Sequence, residues 1–249
     1  MEHFTEIEKL AEILQASKHA VFFGGAGVST DSGIPDFRSS GGLYGSGDNG
    51  DAPEYMLSHT CLVREPERFF DYYRKNMLYP DAKPNAAHFA LKELEDQGII
   101  KAVITQNIDG LHQLAGSRRV IELHGSVHRN YCEKCGKTFA YAHVAASKNG
   151  VPLCDVCGGT VRPDVVLYEE GLDYDCFSQA EMEINQADVL VVGGTSLVVN
   201  PAASFVGNFI WKGGKHLIII NYTHTPYDAY AEFVIRDSIS DVLRRVVPT

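Results

Sequence analysis

The stretch AVFFGGAGVST occupies residues 20–30. Ala20, Val21, Phe22 and Phe23 run without a polar break and then meet Gly24, Gly25, Ala26 and Gly27. An unbroken apolar run ending on glycines is the pattern of a strand covered on both faces that delivers a close-approaching loop. Glycine lets backbone come near a diphosphate, and free N–H groups can bind its oxygens. Gly25-Ala26-Gly27-Val28-Ser29-Thr30 matches the dinucleotide fingerprint G-x-G-x-x-G except that Thr30 replaces the third glycine. Taken alone, such a loop serves equally as a tight structural turn.

The same layout recurs outward along the chain. IIKAVITQN (99–107) supplies a strand at 102–105, and RVIELHG (119–125) a shorter one. ADVLVVGGTSL (187–197) and KHLIIIN (215–221) repeat the apolar run and its polar end. Helical patterns lie between them. Phe4, Ile7, Leu10, Ala11 and Leu14 recur at helical spacing; residues 53–78 read as helical, with Pro66 opening a second helix; NAAHFALKELEDQG (85–98) closes on Gly98; DVLRRVV (241–247) ends the chain. Alternating strands and helices predict an α/β fold with a parallel sheet covered on both sides. Ligands of such sheets bind at the carboxyl ends of the strands. Five ends are polar or glycine-rich: 24–27, 105–109, 124–125, 193–196 and Asn221. The segment SSGGLYGSGDNG (39–50) is expected to be a flexible loop or lid.

The formal net charge of −10 opposes a general binder of nucleic acid or anionic membrane. It suits a basic partner such as a lysine-rich peptide. The first residues show no secretory pattern and no apolar run reaches the ~18 residues of a bilayer span, so a cytoplasmic protein is expected. In that compartment disulfides are uncommon, and six cysteines need another explanation. Cys132-x2-Cys135 and, eighteen residues on, Cys154-x2-Cys157 have the spacing of a four-thiolate zinc site. Redox dithiols or unrelated buried thiols are the competing readings. A closed zinc site would be structural, stapling about thirty residues that lack an apolar pattern. Cys61 and Cys176 have no partner at metal spacing and are expected to be packing residues.

The loop continues as DSGIPDFRS. With TQNID (105–109), ELHG (122–125), the cysteine quartet, GTSLVVNPA (194–202) and IN…TP (220–226), it closely resembles the sirtuin family in its short, bacterial-type form. The motifs stand in family order from residue 20 to 226. The resemblance implies an NAD-dependent protein lysine deacylase that transfers an acyl group to ADP-ribose and releases nicotinamide. It implies a Rossmann-like domain from 1–38, 89–127 and 165–249. The smaller domain would combine a helical insertion, 39–88, with a zinc-ribbon module, 128–164.

By that resemblance, Gly25, Ala26, Gly27, Thr30 and Arg38 line the pyrophosphate and adjacent ribose, and Phe37 covers the nicotinamide ribose. Gln106 contacts ribose, Asn107 orients ribose or a water, and Ile108 with Asp109 holds the nicotinamide amide. Gly194, Thr195, Ser196 and Asn221 approach the rest of the cofactor, with Ser238 and Ile239 near adenine. His124 is the expected base, because imidazole has the unperturbed pKa that the chemistry needs. Nine other histidines compete for that role, His112 most closely, although its expected part is structural. Asn107 and Asp109 could instead make an Asx turn. Val166 and Tyr168 flank the acyl-lysine tunnel, with zinc and NAD as the implied cofactors. The implied partners are acyl-lysine proteins, and a monomer is favoured.

Two places depart from the family. Tyr168-Glu169-Glu170 stands where many members have Phe-Gly-Glu. If position 169 needs a positive φ, glutamate is costly there. Relatives that take acidic acyl groups place Tyr and Arg three apart on the helix at FFDYYRKNML; here Tyr73 is followed by Asn76, or, shifted by one, Tyr72 by Lys75. Acetyl is therefore expected over succinyl. Competing functions are mono-ADP-ribosyl transfer, a non-catalytic NAD- or ADP-ribose-sensing module, and a hydride-transferring dehydrogenase. The dehydrogenase lacks an evident ribose-binding acid on its second strand.

Overall fold

The computed structural model describes residues 2–37, 42–44, 52–147 and 150–248. Arg38, and the 39–50 loop apart from 42–44, lie outside the described residues. Helix α1 (Glu2–Ala16) leads into β1 (Ala20–Gly24). Two 3-10 turns follow, Ala26–Val28 and Thr30–Ser32, where a dinucleotide fold usually starts a long helix. This accounts for Thr30: with no helix to pack on the strand, the third glycine has no task, and Thr30 Oγ1 instead donates to Gly27 O at 3.1 Å.

The stretch read as two helices forms three: α2 (Pro53–Met56), α3 (His59–Arg64) and α4 (Pro66–Met77). Ser58 makes the extra break, its hydroxyl accepting from Cys61 N–H at 3.0 Å as the cap of α3. After α5 (Ala86–Asp96) come β2 (Ile100–Thr105), α6 (Leu111–Ala115), β3 (Val120–Glu122), β4 (Gly125–Cys132), β5 (Thr138–Ala140), α7 (Tyr141–Ala145) and β6 (Val161–Val165). The chain ends through α8 (Tyr174–Gln186), β7 (Val189–Gly193), α9 (Ser204–Trp211), β8 (His216–Ile220), β9 (Phe233–Ile235) and α10 (Ile239–Val246).

Among the described residues, six strands form one parallel sheet in the order β3-β2-β1-β7-β8-β9. Alternate strand residues feed opposite cores. Phe22, Val103 and Val191 meet Leu10, Leu91 and Leu243 of α1, α5 and α10. Val21, Phe23 and Ile104 meet Ile184, Phe205 and Phe209 of α8 and α9. Both faces are thus covered, which explains the unbroken apolar runs. The strand order reverses between β1 and β7, and this switch point opens a crevice at their carboxyl ends.

Residues 125–165, which include the stretch 131–160 with its poor apolar pattern, hold a second, antiparallel sheet in the order β5-β4-β6. It shares a third core with α2–α4, built on Met56, Phe69, Phe70, Tyr73, Val127 and Val161. No described helix is long and apolar enough to cross a membrane. The sequence's one tryptophan, Trp211, is 92% exposed at the end of α9.

Candidate active site

The crevice begins with two glycine loops pressed together. Gly27 N–H donates to Gly194 O at 2.8 Å. A Cβ on Gly27 would lie 2.7 Å from Gly194 Cα, and one on Gly194, at φ 62°, would lie 2.6 Å from Val28 N. No side chain fits either position, so the floor is bare backbone. Gly25 sits beneath it, its N–H on Gly193 O and its Cα against Thr195. From this floor a cavity of about 1450 Å³ extends between the large sheet and the third core. That exceeds the few hundred to ~1,000 Å³ of a usual small-molecule pocket and leaves room for two ligands side by side.

Nearly every residue singled out in the sequence lines it. Ala26, Gly27, Thr30 and Phe37 come from the loop after β1, and Gln106, Asn107, Ile108 and Asp109 from the end of β2. His124 follows β3; Gly194, Thr195 and Ser196 follow β7; Asn221 follows β8; Ser238 and Ile239 open α10. Val166, Tyr168 and Tyr73 form the wall on the other side. Gly25 supports the floor without lining the cavity.

Hydrogen bonds fix these groups. Asn107 Nδ2 donates to Ser29 Oγ at 3.1 Å, and Ser29 Oγ donates to Asp109 Oδ2 at 2.7 Å. Asp109 Oδ1 accepts from Leu111 N–H at 2.9 Å, so the Asx turn is present alongside the cavity position. Ser29 was not singled out, although it lies in the opening loop; a serine there carries no pattern that separates it from a turn residue. Asn85 was also missed. It caps α5 and its Nδ2 donates to Val28 O at 2.8 Å and Ser32 Oγ at 3.0 Å, pinning the loop from behind.

Gln106 Nε2 donates to Thr195 Oγ1 at 3.1 Å, joining the ends of β2 and β7. Asn221 Nδ2 donates to Thr223 O at 2.9 Å. Ser238 also caps α10, accepting from Asp241 N–H at 3.3 Å.

His124 Nδ1 lies 3.0 Å from Gln106 O. A carbonyl only accepts, so Nδ1 carries the proton and Nε2 is left as an acceptor. Burial lowers the pKa of the ring, outweighing that backbone bond, and keeps it neutral near pH 7. His112 has no such position: it is 1% exposed, and burial pushes its pKa down to about 3.

The loop after β6 is built around Glu169, which has φ 78°. The conformation that glycine would favour is thus adopted by glutamate. Its carboxylate accepts from Thr60 N–H at 2.9 Å and Thr60 Oγ1 at 2.7 Å, at the start of α3. Glu170 accepts from both terminal nitrogens of buried Arg162, at 2.6 and 2.9 Å, and from Leu167 N–H. Both carboxylates are therefore engaged within the chain, Glu169 through Oε2 and Glu170 through both oxygens. Tyr168 N–H donates to Leu57 O and His59 N–H to Tyr168 O, pairing the loop with the α2–α3 junction. The Tyr168 and Tyr44 hydroxyls are 2.7 Å apart.

The four cysteines stand at the far end of β4. Their Sγ atoms lie within 4.8 Å of one another, with Cys132–Cys157 at 3.4 Å and Cys135–Cys154 at 3.7 Å. A disulfide would need ~2.05 Å. Four sulfurs at ~2.3 Å from a tetrahedral zinc are about 3.8 Å apart, so the quartet fits that ion. Gly136 and Gly158, at φ 72° and 68°, let each knuckle fold back onto Cys132 O and Cys154 O.

Comparison with known proteins agrees with this geometry. Residues 25–201 match the Sir2 family. An NAD-dependent protein deacetylase of Clostridium acetobutylicum is 56% identical over 97% of this chain and 98% of its own. One from Staphylococcus aureus is 45% identical over 97% and 98%. Among solved structures, a Sir2 enzyme with deacetylated p53 peptide and 3'-O-acetyl ADP-ribose superposes with a TM-score of 0.90 at 37% identity, covering 96% of each chain. A Sir2 enzyme with p53 peptide and NAD+ gives 0.85 at 38%, again covering 96% of each. Sequence identity and superposition thus extend over nearly the full length of these proteins, and the chain belongs to the Sir2 family.

Proposed function

We infer that this chain is an NAD-dependent protein lysine deacetylase in which His124 is the general base. The observation that carries the assignment of the base is the tautomer of His124: its proton is committed to Gln106 O, which leaves Nε2 free to take one. NAD is a substrate here: its nicotinamide–ribose bond breaks, and the acyl oxygen of a modified lysine takes the place of nicotinamide.

The chain's residues bind and orient the two substrates. The Gly27–Gly194 floor offers backbone to the pyrophosphate, with Thr30 and Ala26 beside it. Ser29 holds the Asn107 amide nitrogen, so Oδ1 is the atom left to accept from a ribose hydroxyl. Ile108 and Asp109 hold the nicotinamide carboxamide. Val166 and Tyr168 wall the acyl-lysine, with Phe37 between sugar and departing base. His124 Nε2 then accepts a ribose hydroxyl proton at the point where the acyl group migrates. The four thiolates would hold zinc as a staple of the second sheet, away from the reacting atoms.

The assay is nicotinamide release from NAD, with and without an acetyl-lysine peptide. Release that depends on the peptide, with matching O-acetyl-ADP-ribose, is the expected result. Release without peptide would overturn it in favour of ADP-ribosyl transfer or NAD hydrolysis. His124→Ala is expected to lower turnover by ~100-fold or more, the scale of a lost general base, with melting temperature unchanged.

A further inference from the structure

Strand β4 leaves the ladder of β6 between Ser126 and Asn130. The residues in the gap turn onto the loop after β2. Val127 N–H donates to Ile108 O at 3.0 Å. His128 Nε2 lies 2.9 Å from Asp109 O and, facing a carbonyl, must be the protonated nitrogen. Two consecutive residues of β4 therefore hold two consecutive carbonyls of the loop. The first bond fixes the peptide plane before Asp109 and the second the plane after it. With both planes held, the direction of the Asp109 side chain is set, and its Oδ2 meets Ser29 at 2.7 Å.

The neighbours of His128 are shaped around its ring. Gly110 stands at φ 72°, and a Cβ there would lie 2.7 Å from His128 Cδ2. On the other side, the Tyr141 ring of α7 lies 5.5 Å away. The ring is exposed and lines the cavity beside Gly110 and Gln113. An exposed ring adds little to the core, so its loss is felt in the loop it holds.

We propose that His128 is a positioning residue for the nicotinamide end of the site, acting through the Asp109 carbonyl and setting the affinity for nicotinamide itself. This rests on the reading above that Ile108 and Asp109 hold the carboxamide. It assigns a purpose to the break in β4: the strand gives up ladder bonds to β6 in order to brace a loop of the other sheet.

The test is inhibition of peptide deacetylation by added nicotinamide, with KM for NAD and peptide, in wild type, His128→Ala, His128→Gln and Asp109→Asn. His128→Ala is expected to raise the half-inhibiting nicotinamide concentration about fivefold, the scale of one hydrogen bond, and to leave peptide KM within about twofold. Glutamine can donate to the same carbonyl, so His128→Gln should recover most of that loss. Unchanged sensitivity in His128→Ala, with Asp109→Asn impaired, overturns the role of His128 while the pocket assignment stands. Unchanged sensitivity in Asp109→Asn overturns the pocket assignment and this inference with it. Loss in His128→Ala without recovery in His128→Gln also overturns it, since the donated bond would then not be the cause.

Discussion

Glu169 shows how one residue can hold a backbone conformation that its type disfavours. Its left-handed φ strains any residue with a Cβ. The carboxylate offsets this by accepting two bonds from Thr60. Glu169→Gly removes both the strain and the bonds, whereas Glu169→Ala keeps the strain and loses the bonds. Alanine is therefore expected to give the lower melting temperature of the two; the reverse order would show that the φ is not retained in solution. The need for a positive φ at 169 could be stated from the sequence as a condition, because the family pattern has glycine there. Thr60 could not be named as the partner, since a side-chain bond across 109 residues leaves no local pattern. Ser29 escaped for a different reason: serine in a turn is common, and only its distances to Asn107 and Asp109 distinguish it.

Helix α4 is where the choice of acyl group is expected to be made. Tyr73 and Asn76 both line the cavity, as the alignment of FFDYYRKNML anticipates. Arg74, next to Tyr73 on the helix, turns away to Ser147 Oγ, Gly150 O and Asp71. Among the described lining residues there is neither lysine nor arginine. A succinyl carboxylate would enter without a charged partner, at a loss of about 1.4 kcal/mol or more. Acetyl-lysine is therefore expected to be preferred by at least roughly tenfold in kcat/KM, and a profile favouring succinyl-lysine would refute this reading of α4. The start of α4 was legible because Pro66 marks it; the separate α3 was not, because Ser58 reads as a cap only once the preceding turn is known. Strand β4 was the least legible element. GSVHRNYC has no alternation, for the strand serves a ladder at its ends and the β2 loop in its middle.

At the scale of the whole molecule, acid should unfold this protein earlier than its carboxylates alone would dictate. Burial draws His88 from 6.5 down to about 4, against the opposing charge of Asp109, and His112 to about 3. The folded state then binds fewer protons than the unfolded chain below about pH 6.5. The stability these rings contribute is fully present above 6.5 and is lost as pH falls, toward 4 for His88 and toward 3 for His112. Glu170 adds the same sign lower down: desolvation pushes its pKa up, but Arg162, Leu167 N–H and His59 hold it at about 2, so its contribution fades between 4.5 and 2. The melting temperature is expected to fall steadily from pH 7 to pH 4; a maximum near pH 5 would contradict it. The large sheet was legible because its strands, buried on both faces, must be continuously apolar, and their ends carry the motifs. The joining of two sheets around one cavity was not, since contacts between β4 and the β2 loop depend on register rather than composition. The exposed indole of Trp211 bears on how such melting is recorded. It already stands in water in the native state, so its emission will change little when the chain unfolds. Tryptophan fluorescence would trace a nearly flat line through the acid transition, and far-ultraviolet circular dichroism, which sees the backbone, is the signal that will reveal it.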